Sequence, residues 1–291
     1  MASSDVPLLI FGREGQLAQS FKKLEPSARF VSRSECDFLK PESLISVLEQ
    51  IQPEVVINCA AYTQVDAAET DVETVRQVNA KTPQVIANWC ADNAASLIHY
   101  STDYVYNGEG ATPWLEISNT APLNEYGRSK LAGEQAIASS GCHHFILRTS
   151  WLFSPFGNNF VKTMLRLGAE RENLRVVADQ FGSPTSTLDL ARTTLQMLAH
   201  KDFKSLSGVF HVTNSGYASW HEFAQAIFAE ARRQHFPLKI QQVEAIPTSA
   251  YPTPASRPLN SRLSPMKLKQ LFGLELQPWP SALNETLKYL L

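Results

Sequence analysis

Short apolar runs punctuate the first half of the chain: VPLLIF (6–11), ARFVS (28–32), EVVINCA (54–60), SLIHYS (96–101) and HFILRTS (144–150). Between them, PESLISVLEQIQ (41–52) and VRQVNAKTPQVIANWCADNAA (75–95) carry apolar residues at helical spacing. Strand-length runs alternating with helices predict a parallel sheet. The runs are apolar throughout rather than on alternate residues, as expected of strands covered on both faces by helices. The fold class is therefore α/β, a doubly wound parallel sheet.

After Ser150 the pattern changes to longer irregular stretches rich in Pro, Gly, Asn and aromatic residues. Helices are predicted at NFVKTMLRLGAER (159–171) and SWHEFAQAIFAEARRQ (219–234), with strand-like NLRVVA (173–178) and GVFHVT (208–213) returning to the sheet. One unit would span 1–150, joined again by about 172–215. A smaller, mostly C-terminal α/β unit would take 151–171 and 216–291. The segment IPTSAYPTPASRPLNSRL (246–263) holds a tyrosine, two arginines and turn residues, which suits an ordered loop better than a flexible linker.

Composition narrows the class without changing this picture. A chain of 291 residues with 44% hydrophobic residues, 19% charged residues and a net charge of −2 reads as a soluble globular protein with a substantial core. No basic patch calls for nucleic acid. Cys36, Cys59, Cys90 and Cys142 are widely separated, fitting neither a disulfide framework nor a zinc knuckle and favouring a reducing cytoplasm. The start MASSDVPLLIFG has no basic segment and too short an apolar run for a signal peptide or a membrane span.

The first chemical signal follows the first predicted strand. FGREGQLAQSF spells G-x-x-G-x-x-A at Gly12, Gly15 and Ala18 and runs into a helix, with Gln16 and Leu17 at its start. Small residues there permit a tight turn and close backbone approach to a pyrophosphate facing the helix N-terminus. Where the second strand ends, an acid would bond the 2′-hydroxyl of an adenosine ribose. The chain instead has Ser32 and Arg33. A guanidinium pairs with a 2′-phosphate, which favours NADP(H) while leaving NAD(H) open. Asp37 and Phe38 would embrace the adenine, and Ala60, Ala61, Tyr62 and Thr63 follow the third strand, at the sheet edge where ligands of this fold class sit.

Thr102 ends the fourth strand, and Tyr126 and Lys130 stand four apart at the start of the next helix, on one face. A phenol with a reference pKa near ~10 needs a nearby positive charge to exchange protons at neutral pH. A glycine loop, a hydroxyl closing the fourth strand and this Tyr/Lys pair together resemble the short-chain dehydrogenase/reductase family in its extended, nucleotide-sugar-handling form. HYSTDYVYNG, PLNEYGRSKLAGE, RTSWLF, GNNFVKTM, VADQFGSPT and PTSAYPTPASRPLNSRL narrow the resemblance, over nearly the whole chain, to the dTDP-4-dehydrorhamnose reductases.

That resemblance implies a Rossmann-type NADP(H) domain, a sugar-nucleotide domain, and reduction of a C4 keto group in the last step of dTDP-rhamnose supply. It makes Tyr126 the proton donor, Lys130 its pKa-lowering and ribose-holding partner, and Thr102 the hydroxyl that tunes the phenol. Thr102 and Asp103 would meet the sugar nucleotide and Trp151 would lie along the sugar. Apart from the resemblance, the charge of Arg257 suits either a contact with the diphosphate or stabilisation of its own loop. Asn79 fits either a place near the cofactor or a structural role in its helix. Related dehydratases read Thr-Asp-Glu where Tyr104 stands here, which favours simple reduction over elimination or epimerisation. A non-catalytic NADP-binding subunit, like the β subunit of methionine adenosyltransferase, is the reading from another class. Some relatives pair through a divalent metal held by acids where this chain has Ser20 and Leu188, so a magnesium bridge is not expected, and a homodimer stays open. His143 and His144 read as loop or surface residues, and Trp220 and Phe223 as packing of the smaller unit.

Overall fold

The computed structural model describes residues 8–290. Val6 and Pro7 of the first predicted strand, and most of the opening segment read above for targeting, lie outside them. The central sheet holds β1 (Leu8–Phe11), β2 (Arg29–Val31), β3 (Val55–Asn58), β4 (Ser96–Thr102), β5 (His143–Thr149) and β6 (Gly208–His211). Their spatial order is β2-β1-β3-β4-β5-β6, parallel throughout. Helices α1 (Gln16–Leu24), α2 (Pro41–Ile51), α3 (Thr82–Asp92), α4 (Glu125–Ser139) and α5 (Thr187–Leu198) cover it.

Successive strand residues point to opposite faces, and both faces are buried. Ile10, Ile57, Ile98 and Leu147 pack with Phe21 of α1 and Leu190 and Met197 of α5. Leu9, Val56, Leu97 and Ile146 pack on the other face with Leu44 and Leu48 of α2, Ile86 of α3 and Ile137 of α4. This two-sided burial explains why the strands read as continuous apolar runs. The chain crosses over between β1 and β3, and such a switch point opens a crevice beyond the carboxyl ends of the strands.

A second core gathers Phe153, Val161, Leu174, Phe223, Phe228 and Leu283 from the helices Phe160–Glu170, Trp220–Arg233 and Trp279–Lys288 and their neighbours. Ser219 caps the middle helix reciprocally with Glu222. Three expectations are corrected here. Asn173–Val177 does not rejoin the central sheet. It pairs in parallel with Gln242–Ile246 in a two-stranded sheet, because Leu174 and Val176 face the second core. Residues of 266–276 pack on the large core through Leu268, Phe272 and Leu276, not on the smaller one. His143 is likewise no surface residue: it opens β5, half-buried, with its ring between Ser96 Oγ and the carbonyls of Phe203 and Leu206. His144 also lies in β5. No helix among the described residues is long and apolar enough to cross a membrane.

Candidate active site

A cleft of about 580 Å³ opens at the carboxyl ends of β1, β2 and β3. Of the residues assigned to the cofactor, Gly12, Gly15, Arg33, Asp37, Phe38, Ala60, Ala61, Tyr62 and Thr63 line it. Gly12 has φ +88°, and a Cβ there would stand 2.9 Å from Ala60 N, so only glycine lets the two strand ends close together. No side chain caps α1 and no acid occupies its first turn, which leaves the positive helix end open to an anion. Gln16 and Leu17 are not among the walls: the Leu17 side chain belongs to the core, and Gln16 Oε1 accepts from Asn159 Nδ2 at 3.4 Å. Glu14, Gln64, Asp71 and Thr74, which the motif reading passed over, also line the cleft.

Arg33 is largely exposed and lies 3.9 Å from Asp37, an ion pair loose enough to yield to a phosphate. Glu35 is the acid nearest the end of β2, but it is already engaged. It accepts from Ser32 N at 3.0 Å and Ser32 Oγ at 2.7 Å and pairs with Arg13 and Arg29, and the Ser32 bonds above all hold its carboxyl down to about 2.

The second group of predicted residues sits at the end of β4 and the start of α4. Asn124 Oδ1 caps the helix by accepting from Gly127 N at 2.8 Å. A Cβ on Gly127 would lie 2.3 Å from the Tyr104 carbonyl, and one on Gly133 2.1 Å from the Asn79 carbonyl, so the two glycines let α4 press against its neighbours. The buried face of α4 is polar, carrying Ser129, Lys130 and Glu134. Thr102 Oγ1 accepts from Tyr104 N and donates to Asp103 Oδ1, both at 3.2 Å. Burial and the Asp103 carboxyl push the Tyr126 phenol up to about 12, and a hydrogen bond with Thr102 acts the other way. Burial also raises Asp103 to about 7.

Lys130 lies on the buried face of α4, and its side chain finds partners other than Tyr126. Its Nζ reaches β4, meeting the Tyr100 carbonyl at 2.6 Å and His99 Nε2 at 3.0 Å, and burial lowers its pKa to about 8. The spacing sets the shared face; a long side chain chooses its own partner. Lys130 is not among the groups that shift Tyr126, so the expected lowering of the phenol is absent from this arrangement.

Asn79 is a clamp: its amide accepts from Tyr62 N (2.9 Å) and donates to Tyr62 O (3.0 Å) and Ser129 Oγ (3.1 Å), joining the cleft wall to α4. Trp151 stacks on Trp220 with ring centres 3.5 Å apart, and a Cβ on Gly182 would meet its indole at 2.4 Å. Its φ of 48° is unusual for a bulky residue and marks a strained position.

The proline-rich loop closes the site. Asp66 accepts from Ala255 N (3.2 Å) and Arg257 Nη2 (2.8 Å), while Asn124 Nδ2 donates to the Ser256 carbonyl (2.8 Å). Arg257 lies 6.0 Å from the Tyr104 ring centre, and Tyr104 meets Tyr126 edge-on at 5.6 Å. Arg257 Nη1 and Asp103 Oδ2, both buried, make no hydrogen bond of standard geometry, although Ser261 acts on the Asp103 carboxyl and Arg257 on the Tyr104 phenol. An incompletely satisfied donor and acceptor therefore flank the two tyrosines. Ser20 Oγ lies 2.7 Å from Thr187 Oγ1, and Leu188 is buried. No group of three His, Cys, Asp or Glu among the described residues is placed to hold a metal.

A family model described as "RmlD substrate binding domain" matches residues 6–291. The dTDP-4-dehydrorhamnose reductase of Shigella flexneri is 42% identical over 293 residues, 97% of each chain. The crystal structure of dTDP-4-dehydrorhamnose reductase from Bacillus anthracis in complex with NADP is 36% identical with a TM-score of 0.89, covering 97% of this chain and 99% of that one. UDP-glucose 4-epimerase of Thermus thermophilus, crystallised with NAD, shares the fold at 17% identity and a TM-score of 0.80 over 98% of both chains.

Proposed function

The chain belongs to the dTDP-4-dehydrorhamnose reductase family, and from that membership and the geometry of its two sites we propose how its residues carry out the family's reaction. The protein is an NADP-dependent oxidoreductase that reduces the C4 keto group of dTDP-4-dehydro-β-L-rhamnose, the last step of dTDP-L-rhamnose synthesis. The observation that carries the residue assignment is the meeting of Thr102, Asp103 and Tyr126 at the carboxyl end of β4, on the same sheet edge as the glycine-loop cleft.

The cleft residues fit a dinucleotide. The uncapped end of α1 and the close approach at Gly12 make room for a pyrophosphate, and the loosely held Arg33 supplies a cation for a 2′-phosphate. When bound, the cofactor supplies a hydride to the carbonyl carbon. The protein's residues handle the proton and the position. Tyr126, a protonated phenol at neutral pH, donates its proton to the developing alkoxide. Thr102 orients that phenol. Arg257 Nη1 and Asp103 Oδ2 offer the sugar nucleotide a donor and an acceptor, Arg257 to its diphosphate, and Trp151 is held rigid by Trp220 to lie along the sugar. Within this reading, 8–150 with α5 and β6 form the cofactor domain and the second core anchors the sugar-nucleotide domain. Four free cysteines suit work in the cytoplasm.

Mixing the purified protein with NADPH and dTDP-4-dehydro-β-L-rhamnose should consume NADPH and yield dTDP-rhamnose. Binding of NADPH without turnover would place the chain with the non-catalytic NADP-binding subunits instead.

A further inference from the structure

Lys130 ends a buried chain of hydrogen bonds whose polarity can be read from one fixed point. The Ala60 backbone N–H, which can only donate, donates to Asn58 Oδ1 at 3.0 Å. Asn58 Nδ2 therefore faces His99 Nδ1, at 3.1 Å, as the donor. His99 Nδ1 accepts, so a neutral imidazole carries its proton on Nε2, the nitrogen 3.0 Å from Lys130 Nζ. An N–H aimed at Nζ requires a lone pair there, and an ammonium has none. Turning the Asn58 amide over only moves the conflict, since Nδ2 would then face the Ala60 N–H. A doubly protonated His99 would oppose Asn58 in the same way.

We propose that in mildly alkaline solution the cofactor-free protein holds Lys130 as a neutral amine at the end of the Ala60–Asn58–His99 chain, and that binding of NADP(H) there is coupled to uptake of up to one proton from solvent onto Nζ. His99 and Asn58 are thus positioning residues that act through Lys130. Protonation removes the acceptor that His99 needs and releases the side chain toward the cofactor's ribose. This second half rests on the cofactor reading above; the resting state does not.

The surroundings agree. Burial and the neighbouring Lys130 hold His99 well below its usual value, and burial lowers Lys130. Glu134, on the same helix, opposes that lowering, but its carboxylate is bonded by Arg148 and Ser101. Cys59, at the end of β3, is a neutral thiol, and Tyr126 is a neutral phenol. Asp103, beyond Tyr126, acts on that phenol.

Two measurements test the proposal. In cofactor-free protein labelled with 15N-lysine, the Nζ resonance that disappears in Lys130→Met should titrate near pH 8. It should move by at least a unit toward the ordinary lysine value of ~10.4 in His99→Gln, whose amide oxygen accepts from an ammonium. Asn58→Asp gives a second, nearly isosteric route: a carboxylate accepts from His99 Nδ1–H, reverses the chain and raises Lys130 likewise. A resonance that stays ammonium-like in the parent above about pH 10 overturns the proposal. NADPH-binding calorimetry at about pH 8.5, in buffers of different ionisation enthalpy, should show uptake of roughly half a proton or more, lost in both variants. At that pH the 2′-phosphate is already ionised, with its second pKa near ~6. Binding without uptake overturns the coupling. Failure to bind NADPH strikes the cofactor reading instead, and the resonance still decides the resting state.

Discussion

The glycine-loop cleft and the proposed catalytic pocket share one edge of the sheet but are built in opposite ways. The cleft comes mostly from three consecutive strand ends, works through backbone shape, and stands open to solvent around Arg33 and Tyr62. The pocket draws on β3, β4, α4 and a loop more than 120 residues further along the chain, Asn124 bonding the carbonyl of Ser256. Its working groups are almost all buried and bonded to one another. Shape tolerates change at the rim; a buried network does not.

Four substitutions test that contrast. Tyr126→Phe should cut kcat by roughly 10²–10⁴-fold, the usual weight of a positioned proton donor, while NADPH binding by fluorescence is preserved. A variant as active as the parent would remove the phenol from the chemistry. Gly127→Ala forces a methyl group onto the Tyr104 carbonyl and should cost about 1–3 kcal/mol of stability, seen as a lowered Tm, with kcat falling as Tyr126 is displaced. An unchanged Tm would mean that α4 is free to move away from Tyr104. At the rim, Arg33→Ala should raise the Kd for NADPH by roughly tenfold and leave that for NADH unchanged. Equal losses for both would show that Arg33 does not read the 2′-phosphate.

The fourth substitution concerns Asp103. Its folded pKa, about 7, lies above the unfolded value, so between about pH 4 and pH 7 the folded state binds more protons and stability falls as pH rises. Asp103→Asn should therefore be more stable than the parent at pH 8 and no more stable at pH 4, by thermal unfolding. The opposite order would mean that the carboxylate is stabilised in place.

The contrast also explains what could be read from the residues alone. Gly12, Gly15 and Ala60–Thr63 announce the cleft because a tight turn after a strand has a local signature. The strand runs were equally plain, because burial on two faces leaves little room for polar residues. Asn173–Val177 misled because a strand of a small sheet and one of a large sheet look alike at five residues; only its partner, Gln242–Ile246, distinguishes them, and that pairing is not local. Tyr126 and Lys130 were found by spacing, but the direction of the lysine was not, since it depends on His99 and Tyr100 on a facing strand. His99 did leave a trace: a histidine inside the strand SLIHYST, where all seven positions are buried, needs two partners. Arg257 was visible only as a charge in a proline-rich segment, its partner Asp66 lying 191 residues away.

In the proposed reaction a hydride is delivered to C4 and Tyr126 supplies the proton, and isotope transfer follows both. With NADPH deuterated at the transferable position of nicotinamide C4 and dTDP-4-dehydro-β-L-rhamnose as substrate, NMR of the product should place the deuterium at sugar C4, one per NADPH consumed, and Tyr126→Phe should slow its appearance. Deuterium at another carbon, or a product formed without label, would contradict the account.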